Sequence, residues 1–397
     1  MAREAGVGPR AALVPVGPAL SPHRLARYSR QLSLPGFDED SQRRLAAARV
    51  LVIGAGGLGS ATIPYLASAG IGTIGVVDTD VVELSNLHRQ TAHGMADIGR
   101  SKLDSISDTV KAIDPEIRIE RHAEHLDSRN ILQVLGGYDL LLDGSDNFPT
   151  RYLANDAAAI AGKPLVWGAI LRYHGQVSVS WAEHGPTYRD LFPSPPPPGT
   201  VPSCTDGGVL PSVCAVIGAI MCSESIKLIT GIGEPLLGTV TTYDALTGKF
   251  RDLAYGRSDG AAPITELIDY DAFCGIESAQ VADVPADADA GHPDIVDPAE
   301  LARMIERGDP LQLVDIREPF ERAIAVIEPS DFIPIGSLGG RLGDIRRDVP
   351  VVLYCHHGVR SEAALRMLRQ AGFGNVRHLA GGIDAYSMTA ARELARY

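Results

Sequence analysis

The run VLVIGAGGLGS at residues 50–60 constrains this chain more than any other stretch. Val50, Leu51, Val52 and Ile53 show no polar alternation, which is the pattern of a strand buried on both faces in a parallel sheet. The glycines that follow suit a tight turn into a helix whose first amides face an anion, and GxGxxG is matched at Gly54, Gly56 and Gly59. Asp78 closes the next apolar run, TIGVVD, where a carboxylate can accept hydrogen bonds from a ribose. These spacings predict an adenine-nucleotide site and leave open which nucleotide it takes.

IRIERHA and DLLLDG read as further strands with helices between them, so residues up to 275 are expected to form an open, doubly wound α/β sheet. Residues 1–20, rich in Ala, Pro and Gly, read as a disordered leader ahead of a first domain at 21–275. The segment 193–204, PSPPPPGTVPSC, can be neither helix nor central strand and reads as an extended crossing segment. The apolar run 209–231 then reads as a helix stopped by Gly231. Ala, Asp and Pro dominate 276–292, a linker composition, and 293–397 shows a second, smaller parallel α/β pattern.

A formal net charge of −13 argues against nucleic acid as a partner, because an acidic surface repels phosphate backbones. No run is read as long and apolar enough to cross a bilayer, and residues 1–20 lack the pattern of a signal peptide, so a cytoplasmic protein is expected. Five cysteines, Cys204, Cys214, Cys222, Cys274 and Cys355, form no CxxC and leave an odd thiol. That speaks for a reducing compartment and against a disulfide framework or a four-cysteine zinc site.

Downstream of Asp78 come DTDVVELSNLHRQ (78–90), GRSKLDS (99–105) and DGSDNFPTRYLAND (143–156). A dehydrogenase has no need of Arg89, Lys102 and Asp146 near its phosphate loop, whereas cleaving ATP requires cations and a metal-holding acid around the triphosphate. In this order and spacing the motifs resemble the MoeB/ThiF family, bacterial relatives of ubiquitin-activating enzymes, over residues 24–275. The resemblance implies ATP-dependent adenylation of the C-terminal glycine of a small ubiquitin-like sulfur-carrier protein of MoaD, ThiS or CysO type, ending in Gly-Gly. It assigns Gly54, Gly56, Gly57 and Gly59 to the phosphate loop and Asp78 to the ribose. Ser85, Asn86, Leu87, His88, Arg89 and Lys102 fall to the rest of the nucleotide, and Asp146, with Asn147 beside it, to magnesium. RYSRQ at 27–31 is similar to the family's N-terminal helix, which implies that Arg30 reaches into the partner subunit's site of a homodimer. The family's structural zinc, held by two CxxC pairs, is not expected here. TYRDLFP (187–193) carries Thr187 and Asp190 at the cysteine positions, and only Cys274 remains near the second pair.

Two cysteines stand out. Cys204, in PSCTDGGVLPS, resembles the family's transfer cysteine on a mobile loop. Cys355 ends a buried strand in VVLYCHHGVRSEAA, where loop amides, a helix start and Arg360 can hold a sulfur anion. The loop Cys355, His356, His357, Gly358, Val359, Arg360 resembles the active loop of the rhodanese family, with LVDIREPFE and LAGGIDAY as its flanking motifs. Together the two resemblances imply a fused adenylyltransferase and sulfurtransferase of molybdopterin-related sulfur pathways. A Cys355 persulfide, charged from thiosulfate or a cysteine desulfurase, converts the adenylated carrier to a thiocarboxylate. The rival readings are an NAD-dependent oxidoreductase using the same glycine loop and a non-catalytic scaffold for a ubiquitin-like fold.

Overall fold

The apolar runs become strands, and the glycines between them set where the helices can lie. The computed structural model describes residues 11–196, 207–260, 262–275 and 294–396. The chain divides into two compact units, Met1–Ser278 and Ala279–Tyr397. Cys204, most of the proline-rich segment 193–204 and the linker 276–292 lie outside the described residues.

The first unit is built on β1 (Arg49–Ile53), β2 (Thr73–Val77), β3 (Arg118–His122), β4 (Leu140–Asp143), β5 (Leu165–Leu171), β6 (His174–Ser180), β7 (Thr239–Asp244) and β8 (Lys249–Ala254). They form one sheet in the order β3-β2-β1-β4-β5-β6-β7-β8. The pairs from β3 to β5 are parallel, as the unbroken apolar runs imply. Strand order reverses between β1 and β4, which opens a crevice at their carboxyl ends. The remaining pairs, β5 to β8, are antiparallel, an extension that the sequence reading does not contain.

The turn after β1 explains its glycines. Gly54 sits at φ +89°, in the left-handed region, and a Cβ on Gly59 would fall 1.9 Å from the Gly54 carbonyl oxygen. Only a hydrogen at both positions lets the helix Gly57–Ala69 start against the end of β1.

Two expectations are corrected here. The leader is not disordered throughout: Leu13 and Val14 amides donate to Leu228 and Ile229 carbonyls at 3.0 and 3.4 Å, and Val14 is buried. The helix Pro211–Thr230 is long and apolar enough to cross a bilayer, with a mean hydropathy of 1.7. Its apolarity serves the core instead, because Val213, Ile217 and Met221 are buried within the first unit and Gly218 admits Ala61 of the neighbouring helix. It ends at Gly231 in the left-handed conformation, as its sequence implies.

The second unit is a parallel sheet of β9 (Ile295–Val296), β10 (Gln312–Asp315), β11 (Asp331–Phe332), β12 (Val351–Tyr354) and β13 (Val376–Leu379), in the order β11-β10-β12-β13-β9. β12 is fully buried and feeds the helix Val359–Gln370.

Replacing Gly59 by Ala forces the helix off β1. The expected outcome is a loss of at least about 1–3 kcal/mol, read by calorimetry as a melting temperature lowered by about 2–4 °C per kcal/mol in the first unit.

Candidate active sites

In the first unit one cavity of about 1650 Å³ opens at the carboxyl ends of the parallel strands. Gly54, Gly56, Gly57, Asp78, Asn86, Arg89, Lys102, Asp146 and Asn147 all line it. The helix Gly57–Ala69 begins there with no side-chain cap on its first amides, which leaves them to an anion. Asp78 accepts from the Ala55 amide at 2.8 Å and from Asp80 N at 2.8 Å, so it holds the loop as well as facing the cavity.

The cations are held in place by neighbours. Lys102 starts the helix Lys102–Ile113; its side chain is 8% exposed, and Nζ lies 2.8 Å from Asp80 Oδ2. Arg89 Nη1 donates to the Ser85 carbonyl at 2.9 Å and lies 2.8 Å from His88 Nε2. Burial and the Arg89 charge push His88 below its usual range, so its ring accepts this bond as the neutral form. Ser85, Leu87 and His88 therefore do not line the cavity; Ser85 and His88 orient Arg89. Gly59 packs beneath Gly54 rather than facing the ligand side. Asn147 caps the helix Phe148–Ile160 through Thr150 N at 2.9 Å, while Asp146 before it is exposed. Arg30, exposed on the short helix Ser29–Leu32, does not line its own chain's cavity.

Sequence reasoning missed Gln90 and Arg151, both buried and both lining the cavity. Gln90 Oε1 and Arg151 Nε have no hydrogen-bond partner among the described residues. Arg151 Nη2 donates to the Ser145 carbonyl at 2.9 Å, just before Asp146. Asp143, fully buried, is held above the usual carboxylate range by loss of water. The available signal was position, since both residues stand inside motifs already singled out, RQ and TRY.

The family's zinc does not fit these residues. Thr187 donates through N and Oγ1 to Asp190 Oδ2 at 2.7 and 3.0 Å, and Ser258 N donates to Asp190 Oδ1 at 2.8 Å. Cys274 is buried, which pushes its thiol up to about 11. Among the described residues no group of three or more His, Cys, Asp or Glu is placed to hold a metal.

In the second unit Cys355 follows β12 and is buried. Its Sγ accepts from Gly358 N at 3.2 Å and Ser361 N at 3.4 Å. Gly358, at φ +95°, turns the loop into the helix, and a Cβ there would meet Gly381 N at 3.2 Å. The Arg360 guanidinium holds Glu321 with two contacts of 2.7 Å. The loop amides are therefore placed to stabilise a sulfur anion. His356 and His357 stack with centroids 3.8 Å apart. Burial, with the second ring beside it, pushes His356 down to about 4.

An uncapped helix start ringed by cations and an acid, in one chain with a thiol cradled by amides, defines a nucleotidyl-transferring unit joined to a sulfur-transferring one. The chain belongs to the ThiF family, whose model matches residues 28–261, and a rhodanese-like domain model matches residues 297–389. It is 48% identical over 391 residues to the probable adenylyltransferase/sulfurtransferase MoeZ of Mycobacterium tuberculosis, covering 97% of this chain and 98% of that protein. The sulfur carrier protein adenylyltransferase of Thermus thermophilus is 48% identical over 263 residues, 64% of this chain and 97% of that one. The adenylyltransferase and sulfurtransferase MOCS3 of Drosophila grimshawi is 38% identical over 93% of this chain and 85% of that one. Among solved structures, E. coli MccB with MccA-N7isoASN has a TM-score of 0.54 at 22% identity, over 60% of this chain and 74% of that one. That likeness concerns the fold alone. The chain is thus an adenylyltransferase and sulfurtransferase that uses ATP, against the oxidoreductase and scaffold readings.

Because His356 is depressed from about 6.5 to about 4, the unfolded chain takes up its proton first as pH falls. Its stabilising contribution is complete above pH ~6.5 and is lost between there and pH ~4. Denaturant unfolding of wild type and His356→Asn should converge as pH drops through that window, with wild type losing more stability.

Proposed function

We propose that the first unit adenylates the C-terminal glycine of a ubiquitin-like sulfur carrier and that the second supplies the sulfur to make its thiocarboxylate. The observation that carries this reading is the convergence of Arg89, Lys102 and Asp146 with uncapped helix amides on one cavity. Attack of a carboxylate oxygen on the α-phosphorus of ATP brings two anions together, so the barrier is largely electrostatic. The amides of the glycine loop and the Arg89 and Lys102 cations offset that repulsion and orient pyrophosphate as it leaves. Asp146, exposed at the cavity, is the carboxylate that would hold a magnesium ion brought by ATP, which would neutralise phosphate charge. Lys102 exchanges Asp80 for a phosphate on binding.

In the second half, Cys355 takes a sulfane sulfur from thiosulfate or a desulfurase. The terminal sulfur of this persulfide attacks the acyl carbon and displaces AMP, forming an acyl disulfide. An external thiol then attacks the Cys355 sulfur, releasing the thiocarboxylate and leaving a mixed disulfide on Cys355 that a second thiol reduces. Cys222, Cys274 and Cys355 are free thiols, which suits reaction in the cytoplasm. The exposed Arg30 serves the partner's cavity in a homodimer.

With a Gly-Gly-ending carrier, Asp146→Ala should lower ATP–pyrophosphate exchange about 10²–10³-fold and leave thiosulfate-to-cyanide sulfur transfer intact. Cys355→Ala should do the opposite, and a reversed pattern removes the division of labour. Arg30→Ala and Asp146→Ala chains should each be inactive alone. Mixed in equal amounts and allowed to exchange subunits, they should recover about a quarter of the wild-type sites; no recovery refutes the shared site.

A further inference from the structure

His93 is a buried residue that the reading above leaves without a role. Its Nε2 lies 3.0 Å from the carbonyl oxygen of Ala55, the residue between Gly54 and Gly56 in the phosphate loop. Its Nδ1 lies 2.8 Å from Ser105 Oγ. A carbonyl can only accept, so Nε2 carries the hydrogen of that bond, and Nδ1 is the ring's contact to the serine hydroxyl. Burial and the Lys102 charge push His93 below its usual range, although the Ala55 bond opposes this, and the ring is neutral in this arrangement. On the other side of the same residue, the Ala55 amide donates to Asp78 at 2.8 Å. Ala55 is thus gripped through both its N–H and its C=O.

The three parts joined at His93 are those that face the triphosphate in the reading above. Ala55 belongs to the loop. Ser105 lies three residues after Lys102 in the helix Lys102–Ile113, on the same side. His93 itself follows Arg89 by four residues, and its own amide donates to the Gln90 carbonyl at 3.1 Å. A second tie runs from Thr109 Oγ1 to the Ala92 carbonyl at 2.7 Å, fastening the same segment to the same helix.

We propose that His93 is a positioning residue for adenylation: its imidazole braces the phosphate loop against the Lys102 helix and the Arg89 segment, fixing the spacing of three anion-binding groups before ATP arrives. The inference rests on those groups being the ATP site. Catalysis by fixed charges depends on their placement, and misplacement by about 1 Å costs as much as a hundredfold.

The test is ATP–pyrophosphate exchange at varied ATP and varied carrier. His93→Ala should raise the KM for ATP about tenfold and leave the KM for the carrier unchanged. A merely destabilised protein would lose active molecules and change neither KM. His93→Gln, whose side-chain amide reaches the Ala55 carbonyl, should recover most of the loss. If His93→Ala is insoluble, Ser105→Ala, which keeps the imidazole but frees its tautomer, should raise the KM for ATP about threefold. An unchanged KM for ATP in the soluble variant, beside a Lys102→Ala that has lost exchange, overturns the brace and leaves the ATP site standing. A Lys102→Ala with wild-type exchange overturns the site and the brace together.

Discussion

The closest backbone approach at the head of the first unit governs what its active site can be. A helix must begin where β1 ends, and the Gly59 position admits no side chain because the Gly54 carbonyl lies 1.9 Å from where a Cβ would stand. That contact aims the uncapped amides of the helix Gly57–Ala69 into the crevice where strand order reverses. β2 and β4 are parallel to β1, so their carboxyl ends open on the same edge. Asp78 and Asp146 follow those ends, and Lys102 starts a helix beside them. Charges far apart along the chain meet because the sheet is parallel there.

The two units handle negative charge by different means. The adenylation cavity keeps side-chain cations at its wall, one of them already paired with an exposed carboxylate. A polyanion can displace such a partner at little cost, because Asp80 returns to water. The sulfur site works on one buried atom. Backbone amides from Gly358 and Ser361 reach it at hydrogen-bond distance, and Arg360 is occupied by Glu321. Fixed dipoles cost no reorganisation when a small anion forms, whereas a long cationic side chain must first be ordered.

Much of this architecture was legible before any coordinates. Strands buried on both faces announce themselves as unbroken apolar runs, so β1, β2, β4 and β12 stood out, and the glycines after β1 and in the Cys355 loop marked the turns. The antiparallel strands β5 to β8 were not visible as such, because direction of pairing leaves no pattern in a short strand. The apolar run 209–231 marks the helix Pro211–Thr230, whereas only packing shows that a helix apolar enough to cross a bilayer belongs to a core. Charged motif residues were assigned to the ligand as a group. Some also hold one another, as Ser85 and His88 hold Arg89, and Asn147 both caps its helix and lines the cavity.

By itself the sequence determined the parallel core, the glycine turn, the two families of motif and the thiol of the second unit, because each depends on residues adjacent along the chain. Tertiary structure alone decided which polar groups face the cavity and which stand behind them. Gln90, Arg151 and His93 are unremarkable letters in the chain, and their roles follow from being buried against carbonyls supplied by other segments or from a polar atom left without a partner among the described residues. Burial makes an unpaired or singly paired polar group consequential, and burial is a property of packing, which no local pattern records.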